Sequence, residues 1–227
     1  MKIGIIVAMD KEFIQLKSLL NETKIERIHN KDFVKGFIGD KEIILQKCGI
    51  GKVNSAIGTV EMINNYSPDL IISSGVAGGA DVSMNVSDVV VGSEYCYHDA
   101  YCGEECDFGQ IGGMPSTYHA PEEYVMKATG IEGETTIHKG LIISGDWFVD
   151  TREKMRELLD KFPKAKAVDM ESCSIAQTCY TYGVPFISFR IISDIPLKDE
   201  KAAQYYDFWA RLAENSFNIT KRFLEKI

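Results

Sequence analysis

Four short stretches of the chain are apolar nearly throughout: IGIIVAM (3–9), LIISSG (70–75), GLIISG (140–145) and PFISFRIIS (185–193). Runs of this length without polar alternation suit strands buried on both faces, as in a parallel or mixed sheet covered by helices. Between them the period lengthens. Asp10 is placed to N-cap a helix that carries Phe13, Leu16 and Leu20 on one face. Residues 52–66, 152–162 and 171–183, and the C-terminal stretch from about 200, also read as helices. Gly183-Val184-Pro185 closes one of them and delivers the chain to the next strand. FVKGFIGDKEIILQKCG (33–49) reads as a hairpin turning at Gly39-Asp40. From 96 to 121 periodicity fades among Gly103, Gly109, Gly112, Gly113, Pro115 and Pro121, which predicts a long loop. Helices alternating with buried strands predict an α/β fold of three layers, a central mixed β-sheet flanked by helices. No repeat, low-complexity tract or Pro/Ser-rich linker interrupts the pattern, so residues 1–227 are expected to form one domain.

Composition narrows the partners. The 227 residues are 45% hydrophobic and 26% charged, with enough apolar material for a sizeable core. A formal net charge of -8 and the lack of any basic run work against nucleic acid and anionic membranes, both of which are bound through basic surface. No apolar run approaches the roughly 18 residues of a membrane span, and MKIGIIVAMDKE is too short in its apolar part for a secretion signal. Cys48, Cys96, Cys102, Cys106, Cys173 and Cys179 therefore read as reduced thiols, and the expected location is the cytoplasm. A small molecule or another protein is the expected ligand.

In open α/β sheets, ligands bind outside the carboxyl ends of the strands. The residues that follow the buried runs here are Met9, Asp10 and Glu12, then GIGK, SGVAGG, GDWF, DMES and SDIP. Glu12, Asp146, Asp169, Glu171 and Asp194 thus collect at strand ends. One acid at such a place is usually a helix cap; acids at several ends of one sheet point to a shared site. The glycine turns are weaker signals. GIGK lacks P-loop spacing and GVAGG is not the dinucleotide fingerprint, so tight turns explain both.

Seven segments in order, MKIGIIVAMDKE, KCGIGKVNSAIGT, GVAGG, YHD, SGDWF, AVDMES and RIISDIP, resemble the 5′-methylthioadenosine/S-adenosylhomocysteine nucleosidase family. They run from residue 1 to about 196, and the remainder fits the family's last helix. The resemblance implies a nucleoside phosphorylase-like fold, a homodimer, and no metal or cofactor. It also implies hydrolysis of the N-glycosidic bond between adenine and a 5′-thio-substituted ribose, within methionine salvage and nucleoside catabolism.

By the same resemblance Asp194 is the general acid that protonates adenine N7, oriented by Ser193. Donation near neutral pH requires a carboxyl that keeps its proton, which a dry pocket favours. Glu12 matches the base that activates the attacking water. Glu171 would bind the ribose 2′- and 3′-hydroxyls, since a carboxylate accepts from both at once, with Met170 beneath the sugar. Arg190, four residues before Asp194 and so expected on the same side of the strand, would steady Glu171 and the water. Phe148 would stack on adenine, and Met9 and Ile50 would line the pocket for the 5′-alkylthio group. Asp169, pointing away from Glu171, reads as a structural cap. Core packing is the plainer reading for Met9, Ile50 and Phe148 taken one at a time.

The chain departs from the family pattern in places. Val76 stands where the family more often has Ser, and the 98–115 loop, with Cys102, Cys106, Glu104 and Glu105, replaces a more apolar stretch that helps cover the 5′ substituent. Tyr205, Tyr206, Phe208 and Trp209 all fall where the family places a lid aromatic. Cys96, His98, Cys102 and Cys106 are of metal-ligating types but lack a CxxC pair, so loop thiols are the simpler reading. Cys173 and Cys179 read as core. Three rivals remain on the sequence: a nucleosidase for another adenine nucleoside such as aminodeoxyfutalosine, a nucleoside phosphorylase, and a nucleoside-binding or storage protein without catalysis. Phosphate attack needs cations, and there is no arginine before Arg27, with Glu12 at the first strand end.

Overall fold

A computed structural model describes residues 1–29, 31–133, 135–198, 203–211 and 217–227. Among these, the strands are β1 (Lys2–Val7), β2 (Asn21–Ile28), β3 (Lys31–Ile38), β4 (Lys41–Lys47), β5 (Leu70–Gly79), β6 (Val89–Tyr97), β7 (Tyr118–His119), β8 (Ile137–Ser144), β9 (Ala165–Asp169) and β10 (Phe186–Asp194). The helices are α1 (Asp10–Lys17), α2 (Lys52–Tyr66), α3 (Glu122–Thr129), α4 (Arg152–Lys161), α5 (Ser172–Tyr182), α6 (Ala203–Arg211) and α7 (Asn218–Lys226). The four apolar runs are β1, β5, β8 and β10. β10 is buried along its whole length, as expected for a strand covered on both faces.

The strands form one mixed sheet in the order β10-β6-β8-β9-β5-β1-β4-β3-β2. β5 does more than its apolar run suggests. Its first residues pair with β1, and its last, Gly78 and Gly79, leave β1 for Val168 and Ala167 of β9. Its other edge pairs in parallel with β10. Because β10 also pairs with β6, the strands β5, β9, β8, β6 and β10 close into a ring, with β1, β4, β3 and β2 extending from it. Flanking helices cover this sheet; α2 packs on β1 and β4 and against α5. The core is filled by residues such as Ile5, Ile72, Ile187, Phe189 and Phe223, all essentially without exposure.

Local chemistry sets the boundaries. The β3–β4 hairpin turns at Gly39-Asp40 as expected, and α5 ends at Gly183 in the left-handed region (φ 69°), where a side chain would be strained. Thr151 caps α4 by accepting from Lys154 N. Three expectations change. The N-cap of α1 is Met9, with Asp10 as the first helical residue, and α1 stops at Lys17, short of Leu20. β2, NETKIERI, is a largely exposed edge strand whose charged residues give no apolar run to read. The expected C-terminal helix is two helices, α6 and α7, and residues 200–202 at its expected start lie outside the described residues. The 96–121 stretch is indeed mostly loop, entered from the end of β6 and interrupted by the two-residue β7.

Candidate active site

The ends of β1, β5, β9 and β10, the start of α1, and the turns after β4 and β8 line a cavity, placed as ligand sites are at strand ends. Eight of the nine residues singled out from the sequence lie on its wall: Met9, Glu12, Ile50, Phe148, Met170, Glu171, Ser193 and Asp194. The ninth, Arg190, is buried beneath the floor and not on the wall.

Glu12 sits at the third position of α1 and turns back to close the helix start. Its Oε2 accepts from Met9 N (2.9 Å) and Ala8 N (3.0 Å), the reach-back of a capping box. Its Oε1 accepts from Val76 N (3.0 Å) on β5. Asp10, one residue past the N-cap and exposed, pairs instead with Lys47 (2.5 Å). Glu12 is 2% exposed, and burial raises its pKa against the opposing pull of Arg190 and the N–H donors of Met9, Val76 and Ala8. Gly75 makes this arrangement possible. A Cβ there would stand 2.6 Å from both Glu12 Oε1 and Arg190 Nη1, so only glycine lets the two side chains meet over β5.

Asp169 serves the start of α5, as the sequence suggests, but it does not point away from Glu171: both line the cavity. Asp169 Oδ1 accepts from Ser144 Oγ (2.5 Å), and its carboxylate takes Ser172 N (3.2 Å) and Ser172 Oγ at the start of α5. It also receives Arg190 Nε at 2.5 Å. Arg190 Nη2 donates to Ser73 Oγ (2.8 Å) and reaches only 4.0 Å from Glu171 Oε2. The Arg190 guanidinium is held above its ordinary pKa: burial opposes the charge, but Asp169, Glu171 and Glu12 together outweigh it. Glu171, at the N-cap of α5, accepts from Gly51 N (2.9 Å) on the turn after β4. Burial first, then the Asp169 charge, push its pKa from the ordinary 4.5 to about 8. Nearby Cys48 is pushed to about 12 by burial and then by the charges of Glu171 and Glu12, which leaves an unreactive thiol.

At the end of β10 the pairing with β5 shifts between Ile192 and Asp194. This bulge breaks the two-residue period, so Ser193 and Asp194 both line the cavity while Arg190 lies below it. Ser193 Oγ donates to Asp194 Oδ1 at 2.6 Å, and Asp194 is 3% exposed. Phe148 also lines the cavity, and its ring stands edge-on to Tyr205, 5.1 Å between centroids. Tyr205 Oη also approaches Met9 Sδ (3.9 Å). Of the four aromatic candidates on α6, Tyr205 is therefore the one at the site. Tyr206 is exposed, Phe208 is in the core, and Trp209 packs against the core.

Sequence reasoning passed over several wall residues: Ala8, Ala77, Gly78, Trp147, Val149 and Val168. Each lies within or next to one of the seven segments quoted above, but only the closure of the sheet brings them together. Val76 contributes its backbone N–H to Glu12, a bond independent of the side chain. Three turns are tied outside the cavity by Lys52, which donates from N to Asp146 (2.8 Å) and from Nζ to Asp99 (2.7 Å). All six cysteines are free, with Cys173 and Cys179 in the core. His98 is buried, which lowers its pKa. Among the described residues no group of three or more His, Cys, Asp or Glu is placed to hold a metal ion, and no helix is long and apolar enough to cross a membrane.

A family model described as the phosphorylase superfamily matches residues 2–225. A relative from an Exiguobacterium species, named 5′-methylthioadenosine/S-adenosylhomocysteine nucleosidase, is 40% identical over 97% of this chain and 95% of its own length. The crystal structure of S-adenosylhomocysteine nucleosidase from Streptococcus pyogenes in complex with 5-methylthiotubericidin superposes with a TM-score of 0.92 at 30% identity, covering 100% of this chain and 97% of that one. The crystal structure of a 5′-methylthioadenosine/S-adenosylhomocysteine nucleosidase from Colwellia psychrerythraea, in complex with adenine, gives a TM-score of 0.93 at 32% identity, with 100% and 95% coverage.

Proposed function

The chain belongs to the 5′-methylthioadenosine/S-adenosylhomocysteine nucleosidase family of the phosphorylase superfamily, and we propose that it hydrolyses the N-glycosidic bond of 5′-methylthioadenosine, S-adenosylhomocysteine or both. The products are adenine and the 5′-thio-substituted ribose. One observation carries the choice of water as nucleophile: the wall holds Glu12, Glu171 and Asp194, and among its described residues there is no Lys, Arg or His. A phosphate dianion entering that wall would meet carboxylates without a cation to receive it. Arg190, the nearest guanidinium, is already engaged by Asp169 and Ser73 below the floor.

In this reading Glu12 takes a proton from water as its oxygen forms the bond to ribose C1′. The C1′–N9 electron pair leaves with adenine, and Asp194 delivers a proton to N7 so that the base departs neutral. A carboxylate with a raised pKa is the stronger base, and burial gives Glu12 that property. Glu171 accepts from the ribose hydroxyls, and Met170 lies under the sugar. Phe148 stacks on adenine, with Ser193 orienting Asp194. Met9 and Ile50, joined by Tyr205, receive the 5′ group. Arg190 acts from below, through Asp169 and over Glu12.

We read residues 1–227 as one domain, supported by the single sheet, and the enzyme as a cytoplasmic homodimer in methionine salvage, free of metal and cofactor. Exposed Val53 and Ile57 on α2, beside a groove that continues to Tyr182 of α5, offer an apolar face for a second copy. Adenine release from 5′-methylthioadenosine, assayed with and without inorganic phosphate, tests the activity. Equal rates are expected. Release only with phosphate identifies a phosphorylase, and binding without release a non-catalytic nucleoside-binding protein.

A further inference from the structure

The floor of the cavity contains more acid than base. Asp169 on β9, Glu171 at the start of α5 and Glu12 on α1 surround one guanidinium, Arg190 of β10, and all four are nearly without exposure. The guanidinium is not shared equally. Asp169 holds its Nε at 2.5 Å, Ser73 holds Nη2 at 2.8 Å, and Glu171 is left 4.0 Å away. Asp169 can hold this position because Ser144, Ser172 and the N–H at the start of α5 fix its two oxygens. Among the described residues, the Glu171 carboxyl accepts one hydrogen bond, from Gly51 N. From 4.0 Å away Arg190 still pulls the Glu171 pKa down, but burial and the Asp169 charge push it up more strongly. The other groups that face it, Glu12 and the buried Cys48 thiol, supply no positive charge.

We infer that Asp169 is a positioning residue for the ribose-binding carboxyl: by occupying Arg190 it leaves Glu171 holding a proton in the empty site, to be shed when a ribose diol enters. Ionised, the carboxyl is an acceptor on both oxygens, whereas its proton would turn one of them into a donor, so two hydroxyls donating to it favour the ionised form. Binding of the nucleoside is then coupled to release of a proton, whereas binding of the free base is not. The direction of the Glu171 shift, upward through burial and the Asp169 charge, agrees with this arrangement. The inference rests on the reading of Glu171 as the ribose ligand.

Calorimetric titration in buffers of different ionisation enthalpy counts the protons released. The probes are 5′-methylthiotubercidin, whose base has carbon in place of N7 and so takes no proton from Asp194, and 7-deazaadenine, the same base without the ribose. At pH 7 the wild-type protein is expected to release about one proton more with the nucleoside than with 7-deazaadenine. Glu171→Gln should abolish that difference. Asp169→Asn frees Arg190 for Glu171 and removes the repelling charge, so the difference should fall to about half or less. Asp169→Glu, which keeps the charge, should retain it. Asp169→Ser provides the same neutral comparison if the Asn variant does not fold. Equal proton release with both probes in the wild type, or an undiminished difference in the neutral variants, overturns the inference. Failure to bind the nucleoside or to release adenine from 5′-methylthioadenosine instead overturns the function on which it rests.

Discussion

The floor and the mouth of the cavity are built from opposite materials. Glu12, Asp169 and Asp194 in the floor and Arg190 beneath it lie at or below 6% exposure, and hydrogen bonds to strand ends and helix starts fix Glu12, Asp169 and Arg190. At the mouth, Ile50, Trp147 and Phe148 are 49%, 56% and 44% exposed, and they present apolar and aromatic surface. Charges fixed in a dry setting need little rearrangement when charge develops in a reaction, which suits the floor to chemistry. Apolar side chains at a rim contribute area and shape, which suits the mouth to choosing and retaining a ligand. Changes in the floor should thus act on turnover, and changes at the mouth on affinity.

Glu12→Gln should break the floor most severely. Loss of the base is expected to lower kcat by about 10²–10⁴-fold while KM moves by only a few-fold, measured by adenine release at saturating 5′-methylthioadenosine. An equal loss in kcat and 1/KM would show that Glu12 acts in binding.

Glu171→Gln sharpens the comparison because Glu171 lies where floor meets ligand. Losing a charged acceptor for two hydroxyls should cost about 1.5–3 kcal/mol, a rise in KM of roughly 10- to 150-fold. The same variant has a signature in stability. With a pKa raised from 4.5 to about 8, Glu171 keeps a proton in the folded chain that the unfolded chain gives up at lower pH. Its contribution to the stability of the empty protein therefore declines as pH rises through that window. Denaturant titrations of the ligand-free protein between pH 5 and 8 (about the span of the shift) should show a smaller decline in Glu171→Gln than in the wild type.

Tyr205→Ala should produce the smallest effect. It removes the edge contact with Phe148 and the approach to Met9, and KM should rise by about 10-fold or less with kcat nearly unchanged. A panel of substrates varying only in the 5′ substituent reads it out. A large fall in kcat for every substrate would move Tyr205 from the mouth to the chemistry.

Much of this layout was legible along the chain, for a physical reason. A strand buried on both faces has to be apolar, so β1, β5, β8 and β10 stand out. The polar residues that end them stand out against that background, and Glu12, Glu171, Ser193 and Asp194 do share one wall. Features made by long-range pairing were not legible. The bulge before Asp194 cancels the alternation that would put Arg190 beside it, and nothing in RIISDIP marks it. The hold of Ser144 on Asp169 joins residues 25 apart and exists only because β8 and β9 pair in parallel. β2 escaped notice because an exposed edge strand carries charges in place of an apolar run. Tyr205 could not be chosen among its aromatic neighbours until α6 was placed against Phe148 and Met9.

Asp194→Asn, with turnover and binding measured on the same preparation, tests most directly the claim that the floor does the chemistry. The amide keeps the size and the Ser193 contact but has no proton to give N7. Adenine release from 5′-methylthioadenosine should fall by about 10²–10⁴-fold, while the Kd for 5′-methylthiotubercidin stays within a few-fold of wild type. Turnover equal to that of the parent would contradict the assignment of Asp194 as the acid and, with it, the division of labour between floor and mouth.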